Sequence, residues 1–352
     1  MRNRIALLLG CVFSVFATAA IAEPEIRFHF INVGQANSTL IETPCGAVLI
    51  DAGAQDDEHA EKLIDYLRTF FDHRPDLQNT LELVGITHNH IDHTLALRKV
   101  IESFNVKRYI DNGQLEGQGT ANPRWVRQEI QQHHRDIVLE EIEDSAVKRE
   151  PGHHGFTNEI IDPLQCADCD PKIRVLSGRR EENNGWTPSE FDNKNNHSIV
   201  WRIDFGRLYV LLTGDLEEPG IEDLLVTYKN TDVLDVDVLE VGHHGSHNAT
   251  TEELLDAITP TRAVISMGKW TFGRGDTARF TTYAYGHPRR STVEMLANHV
   301  TKTRTAKQVK VADGARHFSG YTVHSAIYAT GWDGSIVMTG KLDGTLQVEF
   351  GE

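Results

Sequence analysis

Residues Thr87-His88-Asn89-His90-Ile91-Asp92-His93 place three imidazoles and a carboxylate in a few consecutive positions, directly after the apolar run Leu83-Val84-Gly85-Ile86. The apolar run reads as a short buried strand. Side chains two apart on a strand face the same way, so extended backbone past Ile86 puts His88 and His90 on one side. Asp92 and His93 follow where the chain turns into a helix suggested by Leu95, Leu97 and Val100. This donor set suits zinc or a similar divalent metal. The alternative is a polar loop in a histidine-rich chain, and the more distant donors described below weigh against it.

The chain has 352 residues, 39% of them hydrophobic, enough for one large domain or two small ones. Residues 1–22 have the pattern of a signal peptide. Arg2 and Arg4 form a basic start, Ile5 to Ala19 is apolar, and Ala20-Ile21-Ala22 is a small-residue cleavage site. The apolar run is short for a membrane span, and no later stretch is long and apolar enough for one. Cleavage after Ala22 and a periplasmic or secreted mature chain, 23–352, are therefore expected. Leu8-Leu9-Gly10-Cys11 faintly matches a lipoprotein box, but the apolar run before it is very short. The formal charge is −16, and loss of Arg2 and Arg4 makes it more negative. Such a surface repels polyanions, which argues against general nucleic-acid binding. Cys166-Ala167-Asp168-Cys169 is expected to close a local disulfide in an oxidising compartment, leaving Cys45 free. A catalytic CxxC lacks a thioredoxin-like context, and zinc binding there lacks a second thiol pair.

The periodicity predicts strands at 26–33, 37–42, 47–51, 83–86 and 106–111, with helices at 57–71, 95–104 and 122–134. Residues 111–196 are the least regular, with one strand near 173–176, and read as an irregular insertion of loops over the site. His153-His154 within it reads as an exposed loop, with a metal pair as the other option. A hairpin is predicted at 198–213, strands at 236–241 and 263–267, and helices at 221–228, 250–258 and 291–300. The tail carries short strands, with Asp333-Gly334 and Asp343-Gly344 as hairpin turns. Strands interspersed with helices fit sheets covered by helices in one α/β domain.

Further polar pieces fall at strand ends: Asn195-Asn196-His197-Ser198, Thr213-Gly214-Asp215, Gly242-His243-His244-Gly245-Ser246 and Tyr285-Gly286-His287-Pro288. With Asn32-Val33-Gly34-Gln35, Ser38 and Leu49-Ile50-Asp51-Ala52-Gly53, in this order around the HisXHisXAspHis motif, the chain resembles the metallo-β-lactamase superfamily. Within it, the chain is most similar to the extracytoplasmic hydrolase domain of competence-type DNA-internalisation proteins. The resemblance spans nearly the whole mature chain. It implies a four-layer αβ/βα sandwich, two divalent metal ions (zinc first, manganese second) and a role for each position. His88, His90 and His197 match ligands of one metal. Asp92, His93 and His243 match ligands of the other. Asp215 matches the bridging carboxylate, and His244 and His287 match substrate-facing residues. With Asp92 and Asp215 these two histidines form the catalytic set. Ala36-Asn37 stand where that branch has Gly-Asp, and Thr94-Leu95-Ala96 where a glycine pair is usual.

The chemistry also follows from the residues. Two divalent ions about 3.5–4 Å apart can deprotonate a bridging water at neutral pH. Asp51, at a strand end, either orients a ligand imidazole or caps a turn. Residues 261–290 carry Arg262, Lys269, Arg274, Arg279, Arg289 and Arg290 against Asp276, with Trp270, Phe272, Tyr283 and Tyr285 interleaved. Charge beside stacking surfaces suits a small-molecule or nucleotide-like phosphoester, with Arg289, Arg290 and Tyr285 as substrate contacts; a solvated loop with packing aromatics is the alternative. The expected activity is a metal-dependent hydrolase acting on a phosphodiester. A hydrolase of a small ester, thioester or lactone is the second choice, and a metal-stabilised binding module the third.

Overall fold

Side-chain alternation divides the N-terminal strands between two cores. In Gly46–Ile50, Val48 and Ile50 join one hydrophobic cluster while Ala47 and Leu49 join another. A strand buried on both faces in this way must lie in a sheet covered on both sides. The computed structural model describes residues 23–351, apart from 118, 134–135, 151, 153, 168 and 276–279.

The first sheet runs, in spatial order, Leu346–Gly351, Ser335–Lys341, Glu25–Phe30, Thr39–Thr43, Gly46–Ile50, Leu83–Gly85, Arg108–Asp111 and Val138–Glu141. The second runs Ile327–Ala329, Arg262–Ile265, Val238–Glu240, Leu208–Leu212, Trp201–Phe205 and Lys172–Val175. Phe28, Phe30, Ile41, Val48 and Ile50 of the first sheet meet Trp201, Ile203 and Val210 of the second in the core between them. Gly85 makes close approach possible there: a Cβ on it would lie 2.6 Å from the Trp201 ring. Helices Asp57–His73 and Leu97–Ser103 cover the outside of the first sheet with Leu63, Ile64, Leu67, Leu97 and Val100. Helices Glu218–Thr227, Glu252–Ile258 and Arg290–His299 pack against the second. The result is the αβ/βα sandwich. No helix among the described residues is long and apolar enough to cross a membrane.

Residues 111–196 are woven into this frame more than their composition suggests. They supply Val138–Glu141 to one edge of the first sheet and Lys172–Val175 to one edge of the second. They also contain the helix Ala121–Gln132. His153 lies outside the described residues; the carbonyl of His154 accepts a hydrogen bond from Arg174 at 2.9 Å.

Three sequence expectations need correction. The disulfide joins Cys45 to Cys166, across 121 residues of sequence, with Cα atoms 5.3 Å apart. It therefore ties the turn of the first sheet's hairpin to the 111–196 segment, while Cys169 is buried outside the bridge. Spacing favoured the local pair, but the fold brings Cys45 to Cys166 instead. The tail is not made only of short strands: Thr303–Gly314 and His317–Ser325 form a long separate hairpin. Asp343-Gly344 turns between paired strands as expected, whereas Gly334 caps the short helix Thr330–Asp333.

Candidate metal centre

The first donors come from the loop after Leu83–Gly85. Asp51, just past Gly46–Ile50, organises this loop. Its Oδ1 accepts from the Thr87 backbone N–H at 2.8 Å, and its Oδ2 accepts from the Thr87 hydroxyl at 2.9 Å. Oδ2 also accepts from His93 Nδ1 at 2.7 Å, so Asp51 orients a site imidazole. Gly53 is required by proximity, since a Cβ there would sit 1.8 Å from the Asp92 carbonyl oxygen. The short helix Ile91–Thr94 carries Asp92 and His93 inward, and His88 Nε2 lies 3.1 Å from His90 Nδ1. His88 and His90 thus converge, as strand spacing predicts.

The second sheet supplies the facing donors. Asp215 follows Leu208–Leu212. Its Oδ1 is 3.1 Å from His93 Nε2, and its Oδ2 is 3.8 Å from His88 Nε2 and 3.7 Å from both His243 Nε2 and His244 Nε2. His243 and His244 both have left-handed backbone, with φ of 49° and 55°. That geometry sends the two rings different ways. His244 Nδ1 donates to the Ser266 carbonyl at 2.7 Å, which turns Nε2 towards Asp92 Oδ2 at 3.4 Å. His243 Nδ1 faces Glu217 Oε1 at 3.2 Å.

Asp92, His93, Asp215 and His244 offer ligand atoms that all lie within 4.8 Å of one another. His244, expected to face substrate, therefore joins this cluster more closely than His243. The donor set fits a divalent ion. Zn–N and Zn–O bonds of about 2.0–2.2 Å leave two ligands of one ion roughly 3–3.5 Å apart. The buried Nε2 atoms of His93 and His244 have no hydrogen-bond partner, although each faces a carboxylate. The charges ask for a cation as well. Burial favours neutral His93, but the Asp215 and Asp51 carboxylates override it and raise its pKa well above the usual value. Burial would raise Asp215, yet His93, His244 and His243 pull it well below the usual carboxylate range. Burial holds His88 and His90 low and neutral, the form in which imidazole binds metal.

Two of the expected site residues lie elsewhere, and one is only adjacent. His197 is buried with Nε2 against the Phe191 carbonyl at 2.7 Å and Nδ1 accepting from the Arg180 N–H at 3.1 Å. Both ring nitrogens are engaged by backbone, so it is not brought to the cluster. Arg290 turns outward, pairing with Asp313 at 2.6 Å and donating to the Ser319 hydroxyl at 2.6 Å. Arg289 donates to the Tyr285 carbonyl at 3.0 Å. Arg279 and Asp276 lie outside the described residues. Tyr285 does reach the site and stacks on His287 at 5.4 Å and 11°. Burial pushes the Tyr285 phenol up to about 12, so it keeps its proton. His287 is buried, its Nδ1 accepts from the Gln35 side-chain amide N–H at 3.1 Å, and its ring stacks on His244. A cleft of about 340 Å³ opens over these residues, lined also by Gln55, Asn195 and Phe280.

The Lactamase_B family, described as the metallo-beta-lactamase superfamily, matches residues 31–269. The chain belongs to the metallo-beta-lactamase superfamily. Among curated relatives, ComE operon protein 3 of Bacillus subtilis is 26% identical over 286 residues, 78% of this chain and 31% of that protein. Recombination protein 2 of Haemophilus influenzae is 43% identical over 76 residues, 22% of this chain and 9% of that protein. This superfamily member thus spans about a third or less of the length of these relatives. Among solved structures, the metallo-beta-lactamase fold protein YhfI of Bacillus subtilis matches with a TM-score of 0.38 and 11% identity, covering 69% of this chain and 85% of that one.

Sequence reasoning missed the residues behind the metal-facing set. Glu217 touches His243, Ser266 holds His244, and Glu240 sits deeper still. The signal was present for Glu240, a charged residue inside an otherwise apolar strand, which burial tolerates only with partners.

Proposed function

We propose that this protein is a metal-dependent hydrolase of phosphodiesters that works with two divalent ions, zinc first and manganese second. The observation that carries this reading is the Asp215 carboxylate surrounded by His88, His93, His243 and His244. His88, His90, Asp92, His93, Asp215, His243 and His244 would hold the metals. When bound, the ions supply Lewis-acid charge and a water acidic enough to ionise near neutral pH. The chain does the rest. Asp51 and the Ser266 carbonyl fix the Nδ1 sides of His93 and His244, which leaves their Nε2 atoms facing the carboxylates. His287 and Tyr285 line the cleft, where an imidazole N–H and a phenol offer hydrogen bonds to developing negative charge. Superfamily membership supports metal-dependent hydrolysis, and the histidine-rich lining suits an anionic group.

A second reading, hydrolysis of a small ester, thioester or lactone, draws on the same lining. The described residues that line the cleft include no lysine or arginine. The two readings separate on a substrate panel of chromogenic phosphodiesters, esters, lactones and β-lactams, run with metal-loaded protein. The phosphodiester should have the highest kcat/KM. Faster turnover of uncharged esters would favour the second reading, and full metal content without turnover would leave a binding module. Export, with residues 1–22 as the leader, belongs to the same proposal. The Cys45–Cys166 disulfide supports it, because such bonds persist in oxidising compartments.

A further inference from the structure

Glu240 ends the strand Val238–Glu240 and is 2% exposed. Its Oε1 accepts hydroxyl hydrogen bonds from Thr39 at 3.0 Å and Ser266 at 2.9 Å. Its Oε2 accepts from the Asn37 amide at 3.4 Å. Thr39 belongs to the first sheet and Ser266 follows a strand of the second, so this one carboxylate joins the two sheets beneath the site.

The contacts continue in both directions. The Asn37 amide also donates to Asp51 Oδ2 at 3.2 Å, and that oxygen accepts from His93 Nδ1 at 2.7 Å. On the other side, Ser266 accepts His244 Nδ1 on its carbonyl at 2.7 Å. A path of buried polar contacts therefore runs from His93 through Asp51, Asn37, Glu240 and Ser266 to His244. We infer that Glu240 is a positioning residue that sets the spacing between His93 and His244, which come from opposite sheets, so that one metal ion can be held between them.

Chemistry favours a carboxylate at this point. All three neighbours donate, and only an acceptor with several lone pairs can take three donors at once. Glutamine would turn an N–H towards Asn37 or the hydroxyls. If the Asn37 amide flipped to accept it, its contact with Asp51 would be lost. Glu240 has no cation among these partners, and burial pushes its carboxyl up to about 7. A group that is costly to keep ionised, and that touches both halves of the donor set, suits a positioning role better than a stabilising one.

The inference rests on the metal-dependent reading above. The test uses the mature protein with Glu240→Gln and Glu240→Ala. Zinc affinity is measured by competition with a chromogenic chelator, ligand geometry by the visible spectrum of the cobalt-substituted protein, and stability by melting of the metal-free form. Imidazole N–H signals are recorded by NMR on metal-free protein. The expected result is zinc binding weaker by about 10–100-fold. An altered cobalt spectrum and faster exchange of the Nδ1 protons of His93 and His244 should accompany it. The metal-free melting temperature at pH 8 should be unchanged or higher. Zinc affinity within twofold of wild type, or a loss of affinity matched by a fall in metal-free stability, would overturn the inference. Thr39→Val removes one donor at constant shape and should give a smaller change in the same direction, even where Glu240→Ala does not fold. No change in that variant also counts against it. Should the wild type take up no metal, the proposed function fails, while the imidazole proton signals still decide whether Glu240 positions the rings.

Discussion

The hairpin of Thr39–Thr43 and Gly46–Ile50 has two ends built in opposite ways. At the turn end, Glu42 is buried but meets the guanidinium groups of Arg74 at 2.7 Å and Arg27 at 3.3 Å, with the His29 imidazole at 3.2 Å. The Cys45–Cys166 disulfide closes beside it, with Cys166 Sγ 3.5 Å from the Thr43 hydroxyl. At the site end, Thr39 and Asp51 belong to a buried polar network in which Glu240 meets only neutral donors. Burial penalises both glutamates. Hydrogen bonds from His29 and Arg74 outweigh it at Glu42, whose pKa falls to about 2, whereas Glu240 rises to about 7. The turn end is therefore expected to stabilise the fold, and the site end to give up stability while holding imidazoles and carboxylates where a metal can bind them.

The largest effect that would sharpen this contrast is loss of the disulfide. A Cys45→Ala/Cys166→Ala chain should lose roughly 4–5 kcal/mol in denaturant unfolding, because the bridge closes a loop of over a hundred residues. A loss near zero would mean that the turn end is not the stabilising one. Glu42→Gln comes next. Its folded pKa lies below the unfolded value, so its stabilisation is present above about pH 4.5 and fades as pH falls towards 2. The variant should cost about 3 kcal/mol at pH 7 and little at pH 2.

Glu240→Gln should show the opposite trend. The folded pKa is raised, so the wild type carries no penalty below about pH 4.5 and loses stability as pH rises through 7. Relative to wild type, metal-free Glu240→Gln should gain up to about 3 kcal/mol between pH 5 and pH 8, measured as a change in the difference between the two chains. Matching pH trends for the two glutamates would erase the contrast. The smallest effect belongs to Arg290. Its guanidinium is taken up by Asp313 and Ser319, so Arg290→Ala should change stability by at most about 1 kcal/mol and kcat/KM by less than about twofold.

Much of the frame was legible because alternation and amphipathic spacing report burial directly. Val48 and Ile50 against Leu49 marked a strand buried on both faces, and Leu63, Ile64 and Leu67 marked a helix face. His88, His90, Asp92 and His93 were legible because one local motif holds them. The pairing of His243 and His244 was not, since adjacent residues diverge only through backbone torsions that the sequence leaves open. His197 was misplaced because order along the chain does not reveal that backbone groups occupy both ring nitrogens. Arg290 illustrates the same limit: a local excess of positive charge did not show Asp313 waiting on a distant hairpin. The disulfide was misread because proximity in sequence was taken for proximity in space.

Elemental analysis of the purified protein tests the metal centre most directly, carried out on wild type and Asp215→Ala after equilibration with zinc or manganese. Wild type should hold about two ions per chain. Asp215→Ala should lose most of them, together with turnover on every substrate. Wild type without bound metal under both conditions, or Asp215→Ala with a full complement, would contradict the assignment of this carboxylate as the centre of a metal site.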